Sequence, residues 1–82
     1  MNTKKNKSAV IYTTQTCKYC HLVEDFFKEN GVEYQKFDVG TDLAKRREMV
    51  EKSGQMGVPV IEIGGKIVVG WDEEVLKELV GV

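Results

Sequence analysis

The chain has 82 residues, room for one domain with a modest core. Twelve basic and thirteen acidic side chains leave a formal charge of −1, and 41% of the residues are hydrophobic. That balance steers the protein neither to nucleic acid nor to a membrane surface, and no apolar segment is long enough to span a bilayer.

Residues 1–7 are polar and basic with nothing to bury, so a flexible tail is expected there and a folded domain over 8–82. The run Ala9-Val10-Ile11-Tyr12 has the β-branched and aromatic content of a short strand. After it comes Thr16-Cys17-Lys18-Tyr19-Cys20-His21, which holds both cysteines of the chain. Leu22, Val23, Phe26 and Phe27 then recur at helical spacing up to Asn30-Gly31, where glycine can form the cap. The cysteines therefore straddle the first turn of a helix whose apolar side is expected to cover a sheet.

Residues 33–39 alternate as a second strand, with Phe37 and Val39 on one face and Lys36 and Asp38 on the other. The helix between the two strands makes a right-handed βαβ unit with parallel strands. Residues 43–52 are good helix formers behind an Asp42 N-cap, and their apolar stripe is thin. Lys45, Arg46, Arg47, Glu48, Glu51 and Lys52 are expected to form a solvated face with helical ion pairs. Residues 60–63 and 66–69 form a hairpin around Gly64-Gly65, and Pro59, the only proline, opens its first strand. Asp72 then leads into a last helix with Val75, Leu76, Leu79 and Val80 as its stripe. The order βαβαββα predicts an α/β fold: a four-stranded mixed sheet with helices on both faces.

Cys17 falls where orphan backbone N–H groups and the positive end of the helix dipole favour a thiolate. Cys20, three residues on, lies within disulfide reach. This spacing at a strand-to-helix junction is the signature of a redox pair, with one sulfur attacking and the other resolving. Three other readings compete. Buried structural thiols fit the junction poorly. A structural zinc site asks for four ligands, and the chain has two cysteines and one histidine. Cys17-Lys18-Tyr19-Cys20-His21 also matches the c-type haem attachment pattern, with Met49 or Met56 as distal ligand. Against haem stand the lack of an apolar signal core in residues 1–8 and the alternation of strand and helix. Two cysteines with none left for a structural staple suit a reducing cytosol, so a cytoplasmic location is expected.

Tyr12-Thr13, Thr16 to His21, Gly57-Val58-Pro59 and Val69-Gly70-Trp71-Asp72 together resemble the glutaredoxin branch of the thioredoxin superfamily. The likeness covers nearly everything after Ser8. It implies a thioredoxin-like fold and a dithiol oxidoreductase that reduces protein or glutathione mixed disulfides and holds no bound cofactor. Carried over, Cys17 matches the nucleophile, Cys20 the resolving thiol, and Val58-Pro59 a cis-proline motif that presents backbone to a peptide or to glutathione. Lys18, Tyr19, Gly70, Trp71 and Asp72 complete the expected substrate or glutathione surface. His21 is a candidate proton shuttle or an ordinary first-turn residue.

The chain also departs from the pattern. Lys18 stands where glutaredoxins usually carry proline, Thr14 where they carry lysine, and Val69-Gly70-Trp71-Asp72 keeps one glycine where many have two. These features look more like the small glutaredoxin-like proteins that take electrons from thioredoxin reductase, including ribonucleotide reductase donors. The implied partners are disulfide-bearing proteins and either thioredoxin reductase or glutathione, met by a monomer. A glutathione-ligated iron–sulfur carrier is the alternative from another class, since the chain lacks four thiolates of its own.

Overall fold

The computed structural model describes residues 8–81; the basic tail expected over 1–7, and Val82, lie outside the described residues. The elements are β1 (Ala9–Thr13), α1 (Lys18–Glu29), β2 (Tyr34–Asp38), α2 (Leu43–Ser53), β3 (Val60–Ile63), β4 (Lys66–Val69) and α3 (Glu73–Val80). They build one sheet in the order β2-β1-β3-β4, with β1 and β2 parallel and the other pairs antiparallel. The expected βαβαββα order and mixed sheet are both present. Gly64 and Gly65 take φ values of 57° and 84°, the pair of positive angles that a two-residue hairpin turn between Ile63 and Lys66 demands.

Strand alternation divides the core in two. Ala9, Ile11, Ile61 and Ile63 point to one face and pack with Val23, Phe26 and Phe27 of α1 and with Leu76 and Val80 of α3. Tyr12 and Val60 point to the other face, where they meet Val39 and Met49, with Phe37, Val50 and Ile67 packed around them. Helices thus cover both faces. Phe37 and Val39 share the α2 face as their spacing predicts.

Two apolar residues expected in helix stripes face solvent instead. Leu22 is 42% exposed, because the buried side of α1 runs through Cys20, Val23, Glu24 and Phe27, and Leu22 falls about half a turn away from it. The inward place on that side is taken by a carboxylate, Glu24. Val75 is exposed for the same reason of helical phase, since Leu76 and Val80 define the buried line of α3.

Helix α2 buries a single residue, Met49, and packs half-buried Val50 against the same core. A polar network supplies the rest. The Tyr12 hydroxyl, on a fully buried ring, donates to the Glu48 carboxylate. Lys45 lies 3.3 Å from Glu48, while Lys52 lies 3.7 Å from Glu48 and 2.7 Å from Glu62 of β3. The hydrogen bond from Tyr12, helped by Lys45, holds the Glu48 carboxyl below its ordinary range. Burial and then the bond to Glu48 push the Tyr12 phenol up, and the bond to Glu62 keeps the Lys52 ammonium protonated beyond its usual range.

Because the folded state lowers the Glu48 pKa, its contribution is complete above the unfolded carboxyl value and disappears as pH falls through the folded one. Glu48→Gln is therefore expected to be less stable than wild type at neutral pH and to lose less stability on acidification. Tyr12→Phe should lose about 1 kcal/mol, a fall in melting temperature of about 4–8 °C for a domain of this size. Thermal melts of the three proteins between neutral and acidic pH provide the check, and parallel acid limbs for wild type and Glu48→Gln would contradict the account.

Candidate active site

Sheet register brings the separate motifs together. Tyr12 pairs with Val60, so the end of β1 lies beside Pro59. Val60 pairs with Val69, and the Gly70 amide donates to the Pro59 carbonyl at 2.9 Å. The C-terminal end of β1, the N-terminal end of β3 and the C-terminal end of β4 thus share one end of the sheet, from which the Cys17 loop departs. The Val58-Pro59 bond is cis, as the resemblance implies. Its approach is held by Gln55, whose Oε1 accepts from the Gly57 amide at 2.7 Å and whose Nε2 donates to the Gly57 carbonyl at 3.0 Å.

Cys17 is the N-cap of α1, with φ −84° and ψ 111°, and its Sγ accepts from the Cys20 amide at 3.1 Å. The sulfur thus occupies the place where a capping oxygen usually satisfies an orphan N–H. Cys17 and Cys20 form a disulfide with a Cα–Cα distance of 5.3 Å. The two ends differ in access: Cys17 is half-buried and Cys20 only 1% exposed. Attack from outside therefore meets Cys17 first.

The other expected site residues differ in their exposure. Lys18, Tyr19 and His21 are exposed on the first turn of α1. Val58 and Trp71 are half-buried and, like Cys17, pack against the core face shared with α1 and α3. Trp71 meets the Phe26 ring edge-on, with centroids 6.1 Å apart, so part of the half-buried indole serves the core. Gly70 has φ 86°, a conformation that suits glycine and turns the chain from β4 into α3. Asp72 caps α3, its Oδ1 accepting from the Val75 amide at 3.3 Å.

Glu24 was not apparent from the sequence. It lies one helical turn beyond Cys20, only 8% exposed, and its Oε1 accepts from the Tyr34 hydroxyl at 3.1 Å and from Lys36 Nζ at 3.4 Å. Burial, then the bond to this carboxylate, raises the Tyr34 phenol above its usual pKa. Glu24 lines a cleft of about 280 Å³ on the β2 side of the disulfide, together with Thr13, Thr14, Gln15, His21, Lys36 and Asp38. Its position between Val23 and Phe26 on the apolar side of α1 was the available signal. Among the described residues no cluster of three or more His, Cys, Asp or Glu side chains is arranged to hold a metal ion.

The glutaredoxin family profile matches residues 9–68, which include both cysteines and the cis-proline. The chain belongs to the glutaredoxin family. Over 70 residues it is 36% identical to an uncharacterized glutaredoxin-like 8.6 kDa protein in the rubredoxin operon of Clostridium pasteurianum, covering 85% of this chain and 93% of that one. Over 63 residues it is 38% identical to glutaredoxin 3 of Escherichia coli K12, covering 77% of this chain and 76% of the relative. The crystal structure of a glutaredoxin from Archaeoglobus fulgidus superimposes with a TM-score of 0.81 at 30% identity, covering 88% of this chain and 84% of that one. The fold is thioredoxin-like, and the Cys17–Cys20 pair makes this glutaredoxin a thiol–disulfide oxidoreductase.

The cap at Asp72 separates structure from charge in this glutaredoxin. Asp72→Ala should lower stability by about 1 kcal/mol, whereas Asp72→Asn, an equally good cap, should match wild type. Denaturant melts decide this, and an alanine variant as stable as wild type would show that the cap contributes nothing.

Proposed function

We propose that the protein reduces disulfides of protein substrates, with Cys17 as the attacking sulfur and Cys20 as the resolving one. One observation carries the reading: Cys17 Sγ is half-buried at the helix start and accepts the Cys20 amide, while Cys20 is enclosed. In the reduced protein the same amide and the helix dipole favour the Cys17 thiolate.

The exchange balances in two steps. The Cys17 thiolate attacks one substrate sulfur, forming a mixed disulfide, and the other substrate sulfur leaves as a thiolate that takes up a proton. Cys20 then gives up its proton and attacks Cys17 Sγ, which breaks the mixed disulfide and releases the second substrate sulfur. The substrate ends as a dithiol and the protein as the Cys17–Cys20 disulfide. Two electrons from a reduced partner dithiol, with one proton, restore the Cys17 thiolate and the Cys20 thiol.

Val58 and Pro59 form the wall beside the attacking sulfur in this reading, Gly70, Trp71 and Asp72 continue it on the same side, and Lys18 and Tyr19 are the rim. A thioredoxin-reductase-type flavoenzyme is the preferred electron source over glutathione. Thr14 in place of the usual lysine, a single Gly70 and the bulk of Trp71 against Phe26 all support that preference. Losing one charged contact to a glutathione carboxylate weakens binding by about 1 kcal/mol, several-fold in affinity. A reducing cytosol is the compartment in which a pair used this way stays in turnover.

Cys17→Ser is expected to abolish reduction of a protein disulfide, and Cys20→Ser to accumulate a mixed disulfide with substrate on non-reducing gels. Alkylation of Cys20→Ser across pH should show a midpoint for Cys17 below the roughly 8.5 of a free thiol. Turnover by Cys17→Ser would remove the assignment. For the electron source, NADPH consumption is compared with thioredoxin reductase from the same organism and with glutathione plus glutathione reductase. Faster turnover is expected with the flavoenzyme, and saturable turnover with glutathione alone would reverse the preference.

A further inference from the structure

We propose that the cleft on the β2 side of the disulfide is a recognition subsite for a basic side chain, lysine or arginine, near the disulfide of the substrate protein. This deepens the reading of the protein as a protein-disulfide reductase and rests on it. Glu24 lines it, more than nine-tenths buried, with Oε1 engaged by Tyr34 and Lys36. Its other oxygen, Oε2, accepts no hydrogen bond among the described residues. No buried side-chain oxygen or nitrogen among those residues lacks a partner, so Oε2 keeps some access to solvent, and Glu24 lines the cleft. Asp38 lines the same cleft, with Oδ1 accepting from the Gly40 amide at 2.8 Å.

Charge and size both point to a cation. Two carboxylates, Glu24 and Asp38, line the cleft with one ammonium, that of Lys36, whose side chain is 53% exposed and shares a single Glu24 oxygen with Tyr34. Lys18 sits on the exposed start of α1 and does not line the cleft. A volume of about 280 Å³ lies at the lower edge of ordinary small-molecule pockets and suits one long side chain. Position supplies the link to the chemistry: Gln15 and His21 of the cleft flank the cysteines in sequence, and Glu24 lies one helical turn beyond Cys20. A substrate strand crossing Cys17 can therefore lower a neighbouring side chain into the cleft. Packing alone does not call for a carboxylate on the apolar side of α1, because burying one is unfavourable and an apolar residue would fill the place.

The test uses three short peptides with the same internal disulfide, differing only in having lysine, alanine or glutamate three residues from a cysteine. Wild type should reduce them in the order lysine, alanine, glutamate, with the lysine peptide favoured over alanine by roughly fivefold in kcat/KM and the difference carried by KM. Glu24→Gln should bring that ratio close to one. Lys36→Met, on an exposed side chain, removes the competing ammonium and should raise it. Glu29→Gln takes the same charge from the exposed end of α1 and should leave the ratio as in wild type. Equal rates for the three peptides with wild type, or a lysine preference that survives Glu24→Gln, would overturn the subsite while leaving the reductase reading intact. A ratio lowered as far by Glu29→Gln would also overturn it, since overall charge would then explain the preference. Failure of wild type to reduce any of the three would overturn both.

Discussion

Antiparallel pairing of β1 with β3, in the register that sets Tyr12 against Val60, decides where chemistry can occur in this chain. A slip of one residue would carry Ile61 and Ile63 to the α2 face and move Pro59 away from the end of β1. The two cores and the site would be lost together. The paired strands are also the inner ones, and Ile11, Tyr12, Val60 and Ile61 are fully enclosed, whereas the outer strands β2 and β4 keep several exposed residues. The site is thus mounted on the ends of the best-packed elements, which suits a chemistry that needs two sulfurs held in a fixed relation.

The two faces of the sheet solve their polar problems differently. On the α2 side, Tyr12, Glu48, Lys52 and Glu62 form a chain that holds a helix with one buried apolar residue. Partly exposed ion pairs each add at most about 1 kcal/mol, so this attachment is light. On the other side α1 buries five residues, Cys20 among them. The helix that carries the cysteines is the firmly packed one. Its single inward carboxylate, Glu24, lines a cleft on the β2 side.

Local order was legible because it follows local rules. Period-two runs gave strands, period-3.6 runs gave helices, and the glycine pair defined the hairpin turn. The cysteines at the head of a helix could be placed from the apolar run before them and the spacing after them. The cis bond before Pro59 came through family resemblance, since a lone proline opening a strand is equally compatible with trans. Glu24 escaped because its burial depends on Tyr34 and Lys36, ten and twelve residues further along, which nothing within α1 announces. Tyr12 and Glu48 meet across a separation of 36 residues and were hidden for the same reason. Leu22 was misplaced because a stripe drawn through apolar residues alone skips a charge that belongs inside. The core contact of Trp71 is visible only in its edge-on meeting with Phe26.

Thiol–disulfide exchange discriminates little between substrates by itself, because its rate depends on thiolate character, leaving-group pKa and access. Discrimination has to come from contacts around the sulfurs that differ between partners. Here the disulfide lies between unlike flanks: half-buried Val58 and Trp71 on the side of β3 and α3, and a polar cleft on the side of β2. Neither flank supplies the amide that Cys17 accepts, which comes from the helix start. Contacts around the sulfurs can therefore differ between partners while the Cys17–Cys20 pair keeps the same geometry.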